Sequence, residues 1–127
     1  MQMLDACGRK IDYLRISITD RCNLRCVYCM PENGVSSISH DSLLRYEEIV
    51  RLVRLMQPLG VQKVRITGGE PMARRGCLDL VQNLHEMGGL SRIAMTTNVL
   101  LLRGRMQEAR DKGLTSINIS LDTLDPV

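Results

Sequence analysis

Residues 49–71, IVRLVRLMQPLGVQKVRITGGEP, decide the fold. In their first half Ile49, Val50, Leu52, Val53, Met56 and Leu59 recur at helical spacing, which predicts an amphipathic helix with one apolar stripe. Gly60 stands where such a helix stops. Shortly after it, Lys63-Val-Arg-Ile-Thr67 alternates Val64 and Ile66 with Arg65 and Thr67, the period of a half-buried strand. A helix that passes through a glycine into a short β-branched run is half of a β-α-β repeat.

Working outward, the same pattern recurs on both sides. Tyr13 to Thr19 (YLRISIT), Arg92 to Thr97 (RIAMTT) and Ser116 to Leu121 (SINISL) are further strand candidates. Leu78, Val81, Leu84 and Met87 follow helical spacing, and Gln107 to Lys112 ends a third helix with Gly113 as its stop. Alternating strands and helices predict an α/β fold of four βα-type units on a parallel sheet with right-handed crossovers. The chain ends at Asp125-Pro126-Val127, directly after the fourth strand, where the pattern calls for a covering helix. It therefore reads as one domain, 1–127, truncated after that strand. An uncovered aliphatic face on the last strand is expected.

Composition narrows the function classes. The 127 residues are 44% hydrophobic and 24% charged, as in globular chains. Phe and Trp are absent and Tyr occurs three times, so Leu, Ile, Val and Met must build the core, and an aromatic platform for stacking bases is excluded. A net charge of +3 is too slight to argue for nucleic acid but suits a phosphate-bearing small molecule. No run is long enough to span a membrane and the N-terminus lacks a signal-peptide core, which points to the cytoplasm. Five cysteines, three of them crowded between Cys22 and Cys29, suit a reducing compartment and metal ligation better than disulfides.

Strand alternation sorts side chains by face. Leu14, Ile16 and Ile18 oppose Arg15, Ser17 and Thr19; Ile117, Ile119 and Leu121 oppose Asn118, Ser120 and Asp122. Parallel sheets covered on both faces read as nearly continuous apolar runs. One face here carries the polar side chains, Arg15 and Arg65 among them, so a lined cavity is expected in preference to an open, solvated face.

Cys22-Asn-Leu-Arg-Cys26-Val-Tyr-Cys29 follows the first strand. Thiolates are soft ligands that select iron-sulfur clusters, zinc or copper(I). Three thiolates on a four-iron cubane leave one iron open to a small molecule. Structural zinc would need a fourth ligand from His40, His85, Cys7 or Cys77 at irregular separations, and a redox dithiol of Cys26 and Cys29 is the lesser alternative. Cys7 and Cys77 read as small buried hydrophobes, and Met72 and Ala73 as packing residues. Asp20 and Arg21 are equally readable as supports for the cysteine ligands or as loop caps. Gly68-Gly69-Glu70-Pro71 after the second strand permits close backbone approach to a ligand, at the strand end where ligands of such sheets sit.

CNLRCVYC together with ITGGEP resembles the radical S-adenosylmethionine superfamily, and LRISITDRCNLRCVYCMPENG, VRITGGEPMARRG, TTN and INISLDTLD are more closely similar to its MoaA-type GTP 3′,8-cyclases of molybdenum cofactor biosynthesis. The likeness runs from Gly8 to Asp125 and matches the N-terminal half of that family's pattern. It implies a partial TIM barrel and a lyase that rearranges GTP to a 3′,8-cyclised dihydroguanosine triphosphate. Cys22, Cys26 and Cys29 would hold a 4Fe-4S cluster whose open iron binds S-adenosylmethionine. Tyr28, Gly69 and Ser120 would contact that cofactor, and Arg15, Arg65 and Thr96 would contact GTP. An electron donor is implied as a partner, and a homodimer is left open.

The likeness also implies reductive cleavage of S-adenosylmethionine to a 5′-deoxyadenosyl radical, hydrogen abstraction from the GTP ribose, and closure onto C8. Two departures stand out. Val99 occupies the place after TTN usually held by Gly, a position where a branched residue resists the turn. The family's second half, with another cysteine triad, a second cluster and further basic residues, is absent, so a cofactor-binding module without turnover is the alternative reading. Helix one also starts at Arg45-Tyr46-Glu47 without a Ser or Thr cap, at some cost in stability.

Overall fold

The computed structural model describes residues 3–20 and 43–121. Cys22, Cys26, Cys29, Tyr28, Arg21, His40 and Asp122 lie outside the described residues.

Four strands, β1 (Tyr13–Ser17), β2 (Lys63–Thr67), β3 (Arg92–Thr97) and β4 (Ser116–Ile119), form one parallel sheet in the order β1-β2-β3-β4. Between them run α1 (Tyr46–Met56), α2 (Cys77–Met87) and α3 (Met106–Asp111). Each strand pairs with its successor in sequence, the order produced when every crossover has the same hand and every helix returns along the same face. The chain is thus α/β with a unidirectional parallel sheet.

The core confirms that one-sided covering. Ile16, Ile18, Val64, Ile66, Ile93 and Met95 of the sheet pack with Ile49 and Val53 of α1 and Leu80, Val81 and Leu84 of α2, all of them buried. Both stripes are those expected from the helical and strand periods. Gly60 and Gly113 end their helical segments in left-handed geometry, φ 109° and 113°, and a Cβ on Gly113 would come within 2.4 Å of the His85 ring. Towards the fourth strand the covering thins. Ile119 and Leu121 are 61% and 66% exposed, and no helix among the described residues covers them.

The start of α1 departs from expectation in one respect. Arg45 is its N-cap residue and a guanidinium has no acceptor to offer, yet the Arg45 N–H donates to Glu48 Oε2 at 2.7 Å. Half of a capping box is therefore present, which recovers part of the loss. Cys7 corrects a second expectation. It is exposed, in the turn of a short antiparallel bridge between Leu4 and Lys10, because its N–H is taken by Asp5 Oδ1 (2.8 Å) far from the core. Cys77 is buried at the start of α2, and Met72 is buried, as expected.

Candidate functional site

Parallel pairing in register places Arg15 beside Arg65, and Thr96 beside Asn118, on the face opposite the helices. Arg65 Nη1 donates to Thr96 Oγ1 at 3.2 Å and its Nε donates to the Tyr13 hydroxyl, so one side chain spans three strands. Its guanidinium carbon also stands 5.9 Å from the centre of the Tyr13 ring. Both partners of Arg65 are neutral, and among the described residues neither Arg15 nor Arg65 is ion-paired with a carboxylate. Two adjacent uncompensated guanidiniums form an anion-seeking patch.

This face is graded. Arg65 and Thr96 are half-buried at the centre, whereas Arg15, Ser17, Asn118 and Ser120 are exposed at the sides. Among the described residues it is an open surface. Ser120 lies just past β4, where its N–H still donates to the Thr97 carbonyl at 2.9 Å. Strand alternation placed Arg15, Arg65 and Ser120 on this face, and the family likeness singled out Thr96, but both passed over Tyr13, whose hydroxyl positions Arg65. The signal was present, since Tyr13 shares the parity of Arg15.

At the carboxyl ends of β1 and β2 the two strands are held together beyond their last ladder pair. The Ile18 N–H donates to the Thr67 carbonyl (3.0 Å) and the Gly69 N–H to the Thr19 carbonyl (2.9 Å). Gly68 has φ 149°, and a Cβ there would lie 2.6 Å from the Thr19 carbonyl oxygen. Glycine is required at this point by close backbone approach. Gly69 itself is exposed at the strand end.

Glu70 is the buried anchor that sequence reasoning missed. It is 1% exposed. Its Oε2 accepts from the Met72 N–H (2.9 Å), its Oε1 from the Asn98 N–H (2.7 Å), and both lie within 3 Å of Thr97 Oγ1. One carboxylate thereby ties the turn after β2 to the turn after β3. Nothing local in Gly-Gly-Glu-Pro announces this, because the partners lie 27 and 28 positions away. The same turn contains Val99 at φ 76°, the single non-glycine residue in left-handed geometry among those described. The expected conflict is therefore real: a branched residue is held where glycine would rest without strain.

Burial, and then the neighbouring Glu70 charge, push the Cys77 thiol up to about 12, so it is a packing group and not a nucleophile. Burial likewise raises Tyr46 to about 12. Among the described residues no group of three or more His, Cys, Asp or Glu is arranged to hold a metal. No helix among them is long and apolar enough to cross a membrane.

Curated relatives are about half identical to the chain as a whole. The chain is 53% identical to GTP 3′,8-cyclase of Petrotoga mobilis over 98% of its own length, and 51% identical to that of Clostridium botulinum over 96%. It spans 38% of the length of each. Among solved structures, it superposes on Streptococcus suis SuiB bound to precursor peptide SuiA with a TM-score of 0.70 at 26% identity, covering 90% of this chain and 25% of that one. SuiB bound to S-adenosylmethionine gives 0.68 at 25% identity, covering 90% and 24%. Residues 16–127 match the Radical SAM superfamily, and with a parallel sheet that carries the glycine turn after β2 and the arginine pair on its open face, the chain belongs to that superfamily.

Proposed function

We propose that this chain is the radical-generating core domain, 1–127, of a GTP 3′,8-cyclase acting in the cytoplasm with GTP as substrate. The observation that carries the reading is the Arg15–Arg65 pair, in register on adjacent strands and without carboxylate partners, in a chain about half identical to curated GTP 3′,8-cyclases. A triphosphate matches that pair because planar guanidiniums bind phosphate oxygens bidentately. Thr96, already bonded to Arg65, fixes the guanidinium's heading towards the ligand.

Cys22, Cys26 and Cys29 would hold a 4Fe-4S cluster. The donor set fits, since three soft thiolates satisfy three irons and leave the fourth for S-adenosylmethionine. When bound, the cluster supplies the electron that cleaves S-adenosylmethionine to methionine and a 5′-deoxyadenosyl radical. An external electron donor has to reduce it. Gly69 presents an exposed backbone at the strand end for the methionine moiety, with Tyr28 and Ser120 as further contacts of the same cofactor. The chain's own work is to orient the two ligands on one face. A second copy of the chain as partner is testable by sedimentation.

Anaerobic reconstitution with iron and sulfide, followed by measurement of 5′-deoxyadenosine with and without GTP, tests the reading. Cluster formation and S-adenosylmethionine cleavage support it; cyclised product from these residues alone would extend it to turnover, and cleavage without product would identify a cofactor-binding module. Stoichiometric zinc with iron and sulfide near zero would overturn it.

A further inference from the structure

Arg74 closes the short turn Pro71–Ala73 that follows the glycine pair, and its side chain does something no motif assigns. Its Nη1 donates to the Ile18 carbonyl at 2.9 Å and its Nη2 to the Leu44 carbonyl at 2.7 Å. Ile18 follows β1 and Leu44 precedes α1, so the two carbonyls stand at either end of residues 19–43, the stretch that contains Cys22, Cys26 and Cys29. One guanidinium therefore grips both ends of the cysteine-bearing segment.

Arg74 is itself held. Its guanidinium carbon lies 4.4 Å from the centre of the Tyr46 ring, a stacking distance. The Tyr46 hydroxyl donates to the Arg75 carbonyl at 2.7 Å, and the Arg74 N–H donates to the Pro71 carbonyl at 3.1 Å. Glu70, which caps the turn through the Met72 N–H, fixes the other side. The fork thus transmits the position of the turn after β2 to both flanks of the cysteine segment. A lysine has neither the planar fork nor the ring-stacking face to do so.

We propose that Arg74 is a positioning residue for the cysteine segment: by pinning Ile18 and Leu44 it sets the separation of the two ends between which Cys22, Cys26 and Cys29 lie. The inference rests on the reading that Cys22, Cys26 and Cys29 hold that cluster. Fixing the two ends of a chain segment removes conformations that the metal would otherwise have to select. Groups that orient metal ligands from outside typically change metal affinity by about 10–100-fold when removed.

The test uses the full chain as wild type, Arg74→Ala and Arg74→Lys. In the metal-free proteins, hydrogen exchange is expected to rise by about tenfold in peptides covering residues 16–20 and 43–47, with β2 and β3 unchanged. After anaerobic reconstitution, chelator-driven loss of the cluster's visible absorbance is expected to be about tenfold faster in both variants. Lysine should fail to rescue, because it reaches only one carbonyl, and it retains the charge and stem should Arg74→Ala not fold. Unchanged exchange at both ends, exchange rising equally across the whole sheet, or a cluster held as long by Arg74→Lys as by wild type would each overturn the proposal. A wild-type chain that takes up no iron would instead sink the cluster reading, and the exchange measurement would still judge the clamp.

Discussion

Glu70→Gln isolates what one buried carboxylate contributes to this fold. Each of its oxygens accepts one backbone N–H, from Met72 and from Asn98, and the Thr97 hydroxyl lies between them. An amide has only one acceptor oxygen. Whichever way the glutamine is turned, its NH2 faces one of those two N–H groups, and a donor meets a donor in a site from which water is excluded. Leaving a buried donor unsatisfied costs about 1–3 kcal/mol, and weakening bonds to a charged acceptor costs about 1 kcal/mol more, so the expected loss is about 3 kcal/mol. With a urea dependence of about 1.5 kcal/mol per molar, the midpoint of unfolding should fall by about 2 M. The measurement is equilibrium urea denaturation of the metal-free chain followed by far-ultraviolet circular dichroism, with Glu70→Ala as a companion expected to lose at least as much. A midpoint lowered by less than about 0.5 M would refute the reasoning, because it would mean that the two turns hold their geometry without this acceptor.

Four further outcomes are expected. Gly68→Ala should destabilise by about 2 kcal/mol or more in the same assay, since its Cβ would sit 2.6 Å from the Thr19 carbonyl oxygen and must push two strand ends apart. Val99→Gly should be a small gain, about 0.5 kcal/mol, as relief of left-handed strain outweighs the greater chain entropy of glycine; a loss above 1 kcal/mol would show that Val99 packing dominates. For pH, the Cys77 thiol ordinarily titrates at 9.0 but at about 12 when folded, so the folded state keeps its proton longer; its contribution is complete below pH 9 and is lost as pH rises towards 12. Cys77→Ala should accordingly flatten the decline of urea midpoint between pH 8 and 11, while alkylation at pH 8 marks Cys7 and spares Cys77. Arg15→Ala and Arg65→Ala should each weaken GTP binding by about tenfold, read by calorimetry, and leave the cluster's absorbance intact; loss of the cluster in both would mean that their face was misassigned.

Strand and helix identity, the parallel sheet and the sorting of Arg15 and Arg65 from Ile16 and Ile66 were all legible in the sequence. Each follows from a local period of two or 3.6 residues, and burial of one face enforces it. The strain at Val99 was legible through the family likeness, which sets a glycine at that place in the turn. What only the tertiary structure decided is long-range. Glu70 meets Asn98, and Arg74 meets Ile18 and Leu44, through pairings dozens of residues apart that leave no period behind. Cys7 shows the same limit from the other side: residue type alone suggested burial, but the local turn around Asp5 kept it at the surface. Periodicity reports which face a residue takes; only the folded chain brings two distant turns within reach of one carboxylate or one guanidinium.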